Sequence, residues 1–235
     1  QITYYMAMML VFFGIFELVK AIQDQTLKQF GIATAVVLLG VTLGLLPNVG
    51  HLFSTYEYSQ ETIRGKTELT PPPGEKASSG LDVEYAFRWS YGIGETMTLL
   101  IPDFMGGASG TAIDRNSDAA KDLHRIIGQR PGAIPTYWGD QPFTSGPVYV
   151  GAIICFLFVL GLFMVRGPTK WWLLAATIKS YMLAWGRNFP ALNEFLFYNL
   201  PLYNKYRSVA MMLVIAELTM PLLGILGLYN FMNYK

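Results

Sequence analysis

Residues 137–159 read YWGDQPFTSGPVYVGAIICFLFV, and this stretch sets the fold class. A polar, turn-rich run holding Tyr137, Trp138, Asp140 and Gln141 passes without a spacer into a segment that carries no charge. Large rings and hydrogen-bonding groups at the lip of an apolar helix suit a membrane interface, where amphipathic aromatic side chains sit at headgroup depth. The whole chain agrees. Of 235 residues, 52% are hydrophobic and only 14% are charged, against about 25% charged in an ordinary soluble domain. A net charge of +1 supplies no concentrated basic face and argues against nucleic acid as a partner. The single Cys155 lies inside the apolar run, so there is no disulfide framework to read a redox compartment from.

Crossing the hydrocarbon core takes roughly 20 apolar residues, with about 17–25 tolerated. Segments 2–22, 30–47, 147–165, 171–186 and 208–229 approach or meet that length. The expected fold is therefore an all-α membrane protein with about five transmembrane helices, a large soluble helical protein being the alternative. Residues 1–47 read as a transmembrane hairpin and 48–146 as a long exterior region with interfacial helices. Residues 147–186 read as a second hairpin, 187–207 as a short exterior loop and 208–235 as the last helix. Orientation comes from short loops, since lysine and arginine accumulate on the cytoplasmic side. Lys20 and Lys28 flank the first turn and Arg166 and Lys170 the third-to-fourth turn, which puts both inside and residues 48–146 outside. Arg187, Lys205 and Arg207 in the 187–207 loop run against that rule. The first apolar segment has no basic leader or small-residue cleavage site, so it is not read as a signal peptide. Beginning at Gln1 and entering an apolar helix at once, the chain reads as an internal piece of a longer polytopic protein.

The exterior region is too long for a simple connector. HLFSTYEYSQETIRG (51–65) interleaves rings and charges as an interfacial helix does, and PPPGEKASSG (71–80) reads as a surface loop. Leu81, Tyr85, Trp89 and Ile93 recur at spacing four, which predicts a helix with one aromatic stripe. In SDAAKDLHRIIGQ (117–129), Ser117 is an N-cap, Asp118 opens the first turn, His124 and Arg125 close the last, and Gly128 stops the helix.

Chemical motifs are sparse. GIGE (92–95) is too short for a dinucleotide fingerprint, and GGASG (106–110) lacks the lysine and hydroxyl of a phosphate loop. Both read as turns where backbone bends or packs closely. His51 and His124 stand alone, no metal-ligand spacing occurs, and nothing resembles a Ser/His/Asp triad. No metal site is assigned, although exterior acids such as Glu57, Glu61, Glu95, Asp103 and Asp140 could offer oxygen to a divalent cation. Lys179 and Glu217 fall inside apolar segments at similar expected depth, where an uncompensated charge costs about 2.5–3.5 kcal/mol. An interhelical ion pair between them is expected, as a structural clip or with a catalytic or transport role. Glu17 lies near Lys20 and can snorkel.

LPNVGHLFSTYEY, TIRGKTELT, WSYGIGETMTLLIPDFMGGASG, YWGDQPFTSGPVYVGA and NKYRSVAMMLVIAELTMPLL, with QITYY at the start, together resemble the YfhO-like bacterial membrane proteins, especially those of Bacteroidota. The likeness runs through nearly the whole chain. It implies similarity to polytopic C-type membrane glycosyltransferases, which move a sugar from a polyprenyl-phosphate carrier to a cell-envelope polymer on the outer face of the cytoplasmic membrane. The resemblance places such a family's catalytic acid in a loop upstream of Gln1, so the catalytic residue stays unassigned.

Under that resemblance, YWGDQPFTSG and GIGETM would line a donor or acceptor groove. Tyr137 and Trp138 would cover sugar C–H faces, Asp140, Gln141 and Glu95 would bond hydroxyls, and Arg88 or Arg130 would neutralise phosphate. The competing reading is a belt-and-turn cap that anchors a helix. A non-catalytic subunit or scaffold of an envelope complex is the second functional class, and a transporter the third. No internal repeat of the kind transporters carry is found.

Overall fold

In the computed structural model, residues 1–65, 80–114, 116–128, 132–146 and 148–233 are described. The chain is mostly helical. Helix α1 (Ile2–Gln23) turns at Asp24–Thr26 into α2 (Leu27–Leu45), with Gln25 in a left-handed conformation at φ 56°. A single 3₁₀ turn, Leu46–Asn48, carries α2 directly into α3 (Val49–Gln60). After the next described residues come α4 (Val83–Ala86), a 3₁₀ helix Gly94–Leu99, strand β1 (Thr111–Ala112), α5 (Asp118–Ile127) and β2 (Ala133–Ile134). Three further helices follow, α6 (Ala152–Met164), α7 (Thr169–Ala184) and α8 (Pro190–Asn199), and then α9 (Leu213–Met232).

Three helical stretches are long and apolar enough to cross a membrane: Ile2–Gln23, Leu27–Gln60 and Val209–Met232. The two remaining expected spans are shorter, α6 with 13 residues and α7 with 16. At about 1.5 Å per residue these give roughly 20 and 24 Å, below the roughly 30 Å of a hydrocarbon core.

The centre of the molecule is α9, sandwiched between α6 and α7, with α1 against α7 and α9. Small residues bring α6 and α9 together. A Cβ on Gly161 would stand 2.5 Å from the Leu223 carbonyl oxygen, and one on Gly227 would stand 2.5 Å from the Gly161 Cα. Such close approach is how helices gain van der Waals contact where no hydrophobic drive separates them from lipid. On the other side, the Thr177 and Thr219 hydroxyls meet at 2.7 Å and Ser180 Oγ donates to the Met212 carbonyl at 2.7 Å. These polar groups are buried and satisfied across the α7–α9 seam, as buried hydroxyls must be. Phe158, Leu173, Ala216, Met220 and Leu223 fill the lower core. Tyr5, Phe87, Tyr91, Leu183, Phe197 and Met212 fill the upper one.

Several expectations are corrected. Within residues 51–65 helix α3 reaches Gln60, but it follows α2 directly: Pro47 sits at the start of a turn, a position proline favours, so helix runs from Leu27 to Gln60 over 34 residues. The spacing-four stripe of 81–93 is not one helix. Helix α4 stops after four residues, leaving Leu81 buried and Ile93 exposed. The 187–207 loop contains α8, whose Asn193 side chain donates to the Met182 and Phe189 carbonyls and accepts from the Tyr203 hydroxyl. The antiparallel pair β1–β2, with Thr111 opposite Ile134, had no alternating pattern to reveal it. Helix α5 matches its punctuation, with Ser117 Oγ accepting from the Ala120 N–H and Gly128 left-handed at φ 69°. Of the segment 71–80, all but Gly80 lie outside the described residues.

Lys179 and Glu217 form no ion pair. Among the described residues the ion pairs are Lys121–Asp118 and Arg125–Asp122, both on α5. The α7–α9 seam runs through Thr177, Ser180 and Thr219. Lys179 instead turns toward α1, its ammonium 5.1 Å from the Phe12 ring centroid, while Glu217 is exposed.

Candidate functional site

The site forms at the end of the bundle where α1 begins, α7 ends and α9 begins. The loop 87–93 is strung across these helix ends: Tyr91 N–H donates to the Ala184 carbonyl at 2.8 Å and the Ala210 N–H to the Trp89 carbonyl at 3.2 Å. Below it, the Leu99 carbonyl accepts from the N–H groups of Val150 and Gly151 ahead of α6. The sequence motif GIGE is thereby anchored by the residues on either side of it.

The 133–144 segment closes over that loop. Trp138 N–H donates to the Met105 carbonyl at 2.8 Å, and Thr136 N–H to the Ala108 carbonyl at 3.1 Å. Gly106 makes the approach possible. It is left-handed at φ 77°, and a Cβ there would strike the Thr136 carbonyl.

At the junction lies Glu95, 1% exposed. Its Oε2 accepts from the Gly92 N–H at 2.9 Å; its Oε1 accepts from the Tyr137 hydroxyl at 2.6 Å and from Gln141 Nε2 at 3.3 Å. Tyr137 Oη in turn accepts the Gln141 N–H at 3.0 Å. A buried carboxylate with three donors avoids the penalty of an unpaired charge. Burial, and then the bond to Glu95, raise the Tyr137 hydroxyl well above its ordinary range. Neighbouring Tyr91 is pushed up to about 12, chiefly by burial. Both phenols therefore stay protonated at physiological pH, and Tyr137 donates to Glu95.

A second, exposed layer lies on this one. Asn188 Nδ2 bridges the Tyr91 carbonyl at 2.9 Å and Asp140 Oδ2 at 3.2 Å. Arg187 donates from its guanidinium to the Asp140 carbonyl at 3.0 Å and from its backbone N–H to Ser90 Oγ at 2.8 Å. Trp185 Nε1 donates to Thr96 Oγ1 at 2.9 Å. Gly92 packs closely here, since a Cβ would lie 3.0 Å from Asp140 Oδ2. Trp138 projects from this ledge at 81% exposure.

Tyr137, Asp140, Gln141 and Glu95, from the two motifs singled out in the sequence, thus converge. They bond mainly to one another. Glu95 is a keystone with both oxygens occupied, while Asp140, Trp138 and Arg187 are the groups that face outward. Arg88 is exposed and takes no part in this network, and Arg130 lies outside the described residues. Arg187, Asn188 and Trp185 were missed by sequence reasoning, since nothing local in WGRNF marks a partner some 47 residues upstream. Arg207 is a further addition. Its guanidinium lies 4.9 Å from the Trp89 ring centroid and donates to the Tyr85 hydroxyl at 2.7 Å.

The described residues contain no group of three histidine, cysteine, aspartate or glutamate side chains able to hold a metal ion. What the ledge can do is bind: an indole face for apolar or C–H surface, a carboxylate acceptor, and amide and guanidinium donors. Comparison of the chain with protein-family models, curated proteins and solved structures finds no match.

Proposed function

We propose that this chain belongs to a multi-pass protein of the bacterial cytoplasmic membrane, YfhO-like in sequence, that handles a lipid-linked sugar at the outer face. Helices α6 and α7 act as two shorter crossings beside the three long ones, making five, with the ledge on the periplasmic side. The donor is a polyprenyl-phosphate sugar and the acceptor an envelope polymer, as in C-type glycosyltransferases. The observation that carries this reading is the Trp138–Asp140–Arg187 ledge. It is held rigid by buried Glu95 directly above an apolar bundle, the height at which a membrane-borne saccharide presents itself. Binding groups supported from beneath by packed and bonded side chains keep their geometry, which is what recognition and catalysis require. The chemical step itself is not assigned to any residue of this chain.

The test is transfer of sugar from a polyprenyl-phosphate donor by membranes carrying the full-length protein, with Asp140→Ala and Trp138→Ala variants. Loss of transfer, with normal amounts of folded protein in the membrane, is the expected result. Unchanged transfer in both variants overturns the ledge as a substrate site.

A second reading, a scaffold subunit of an envelope complex, is favoured by one observation. No residue of α2 is buried, so most of that helix is open to lipid or to another protein. Deletion of the gene with recovery of intact envelope glycans but a disassembled complex would support the scaffold.

A further inference from the structure

Lys179 occupies an unusual place. Its stem lines a shallow, open surface crevice with Met8, Met9 and Phe12 of α1, Ala176 and Leu183 of α7 and Ile215 of α9. Every other lining side chain is apolar. The residue is half-buried, its ammonium lies 5.1 Å from the Phe12 centroid, and among the described residues no carboxylate lies within ion-pair distance of it. A cation–π contact replaces only part of the hydration such a group gives up.

Position sharpens the point. Lys179 is six residues before Trp185, hence about 9 Å along α7 from the ledge. Across the crevice, α1 starts at the same end, where Gln1 Nε2 donates to the Ser208 carbonyl and Tyr4 Oη donates to the Pro201 carbonyl. The crevice therefore lies just inside the apolar layer, flanked by flexible methionines that adapt to a chain of varied shape. A lone cation at the rim of an apolar slot calls for an occupant with an anionic head and a hydrocarbon tail.

We infer that the α1–α7–α9 crevice binds an anionic membrane lipid, with its phosphate on Lys179 and its chain along Met8, Met9 and Phe12. The inference rests on the membrane embedding proposed above and is independent of sugar transfer.

The experiment uses the purified full chain in a neutral detergent, with wild type, Lys179→Met and Lys179→Arg. Thermal stability is followed while undecaprenyl monophosphate, phosphatidylglycerol, phosphatidylcholine or inorganic phosphate is added, because a ligand of the folded state raises the unfolding temperature with its concentration. Native mass spectrometry counts the lipid retained. Both lipid phosphates with a net negative charge are expected to stabilise wild type and Lys179→Arg, and their affinity is expected to fall at least about tenfold in Lys179→Met. Lys179→Met removes an unpaired charge from an apolar site, so folding is expected to survive it. Equal binding by Lys179→Met overturns the inference, as does equal stabilisation by phosphatidylcholine. Equal stabilisation by inorganic phosphate reduces the site to a simple anion contact and overturns the lipid assignment. If Lys179-dependent retention holds while no variant or wild type transfers sugar, the transferase reading fails and this inference stands.

Discussion

Glu95 shows how one side chain decides the shape of a surface it never reaches. Removing its carboxylate leaves the Tyr137 hydroxyl, the Gln141 amide and the Gly92 N–H without their acceptor. Buried groups left unsatisfied cost about 1–3 kcal/mol each. Glu95→Ala is expected to lower unfolding stability by about 3 kcal/mol, and Tyr137→Phe by about 1.5 kcal/mol because one charge-assisted bond is lost. Chemical denaturation of the purified protein checks both, and a change below about 0.5 kcal/mol in Glu95→Ala would remove the keystone role.

The phenols add a pH dependence with a defined sign. Tyr91 titrates near 10.0 when unfolded and near 12 when folded. Between those values the folded chain binds the extra proton, so stability falls as pH rises. It is fully present below about pH 10 and is expected to decline toward pH 12, with Tyr137 acting in the same direction. Tyr91→Phe should flatten that decline in alkaline denaturation measured by circular dichroism.

At the same scale, the sequence exposed Glu95, Tyr137, Asp140 and Gln141 because charged and aromatic residues at an apolar boundary are costly to place without a reason. It concealed Arg187 and Asn188, which look like ordinary polar loop residues until the fold brings Asp140 to them. Lys179 and Glu217 show the limit of depth arguments. Rise per residue sets height along a helix, but each residue also turns the side chain by about 100°, and that azimuth depends on packing partners a single helix does not name.

Helices here divide into those joined by glycine and hydroxyl contacts and those left uncovered. The α6–α9 crossing depends on Gly161 and Gly227, whose backbones leave no room for a side chain. Gly161→Leu is expected to cost about 1–3 kcal/mol or more through overpacking. The observable is the temperature at which the detergent-solubilised protein loses its folded signal. The same change at Gly40 of α2, where an added Cβ meets nothing within 4 Å, should leave that temperature within about 2 °C. A matching loss at both sites would mean that α2 is as tightly packed as α9.

Helix length was legible wherever apolar residues ran unbroken, as in α1 and α9. It was misread at Pro47, because proline ends a helix from within yet suits the first position of a new turn. The short length of α6 was also hidden. Residues 148–151 carry no charge, yet the helix starts only at Ala152, after Gly151 at φ 109° and after the N–H groups of Val150 and Gly151 have bonded the Leu99 carbonyl.

Considered whole, the molecule carries a polar ledge at one end and the Arg166–Lys170 turn at the other, with α7 running between them. Sidedness is therefore testable on single cysteines in a Cys155→Ser background. A membrane-impermeant maleimide added to intact cells is expected to label Trp138→Cys and to miss Arg166→Cys until the membrane is opened. The reverse pattern inverts the orientation and removes the envelope substrate from reach of the ledge.

The helical run from Leu27 to Gln60, continuous but for the 3₁₀ turn at Leu46–Asn48, has a geometric consequence. Its 34 residues extend about 51 Å at 1.5 Å per residue, whereas the oily layer is about 30 Å deep. Leaning could hide that excess only at roughly 54°, steeper than the 0–40° seen for such rods. A bilayer crossing by this helix would therefore leave part of it outside the oily layer, with Tyr56, Glu57 and Tyr58 at the end remote from Leu27.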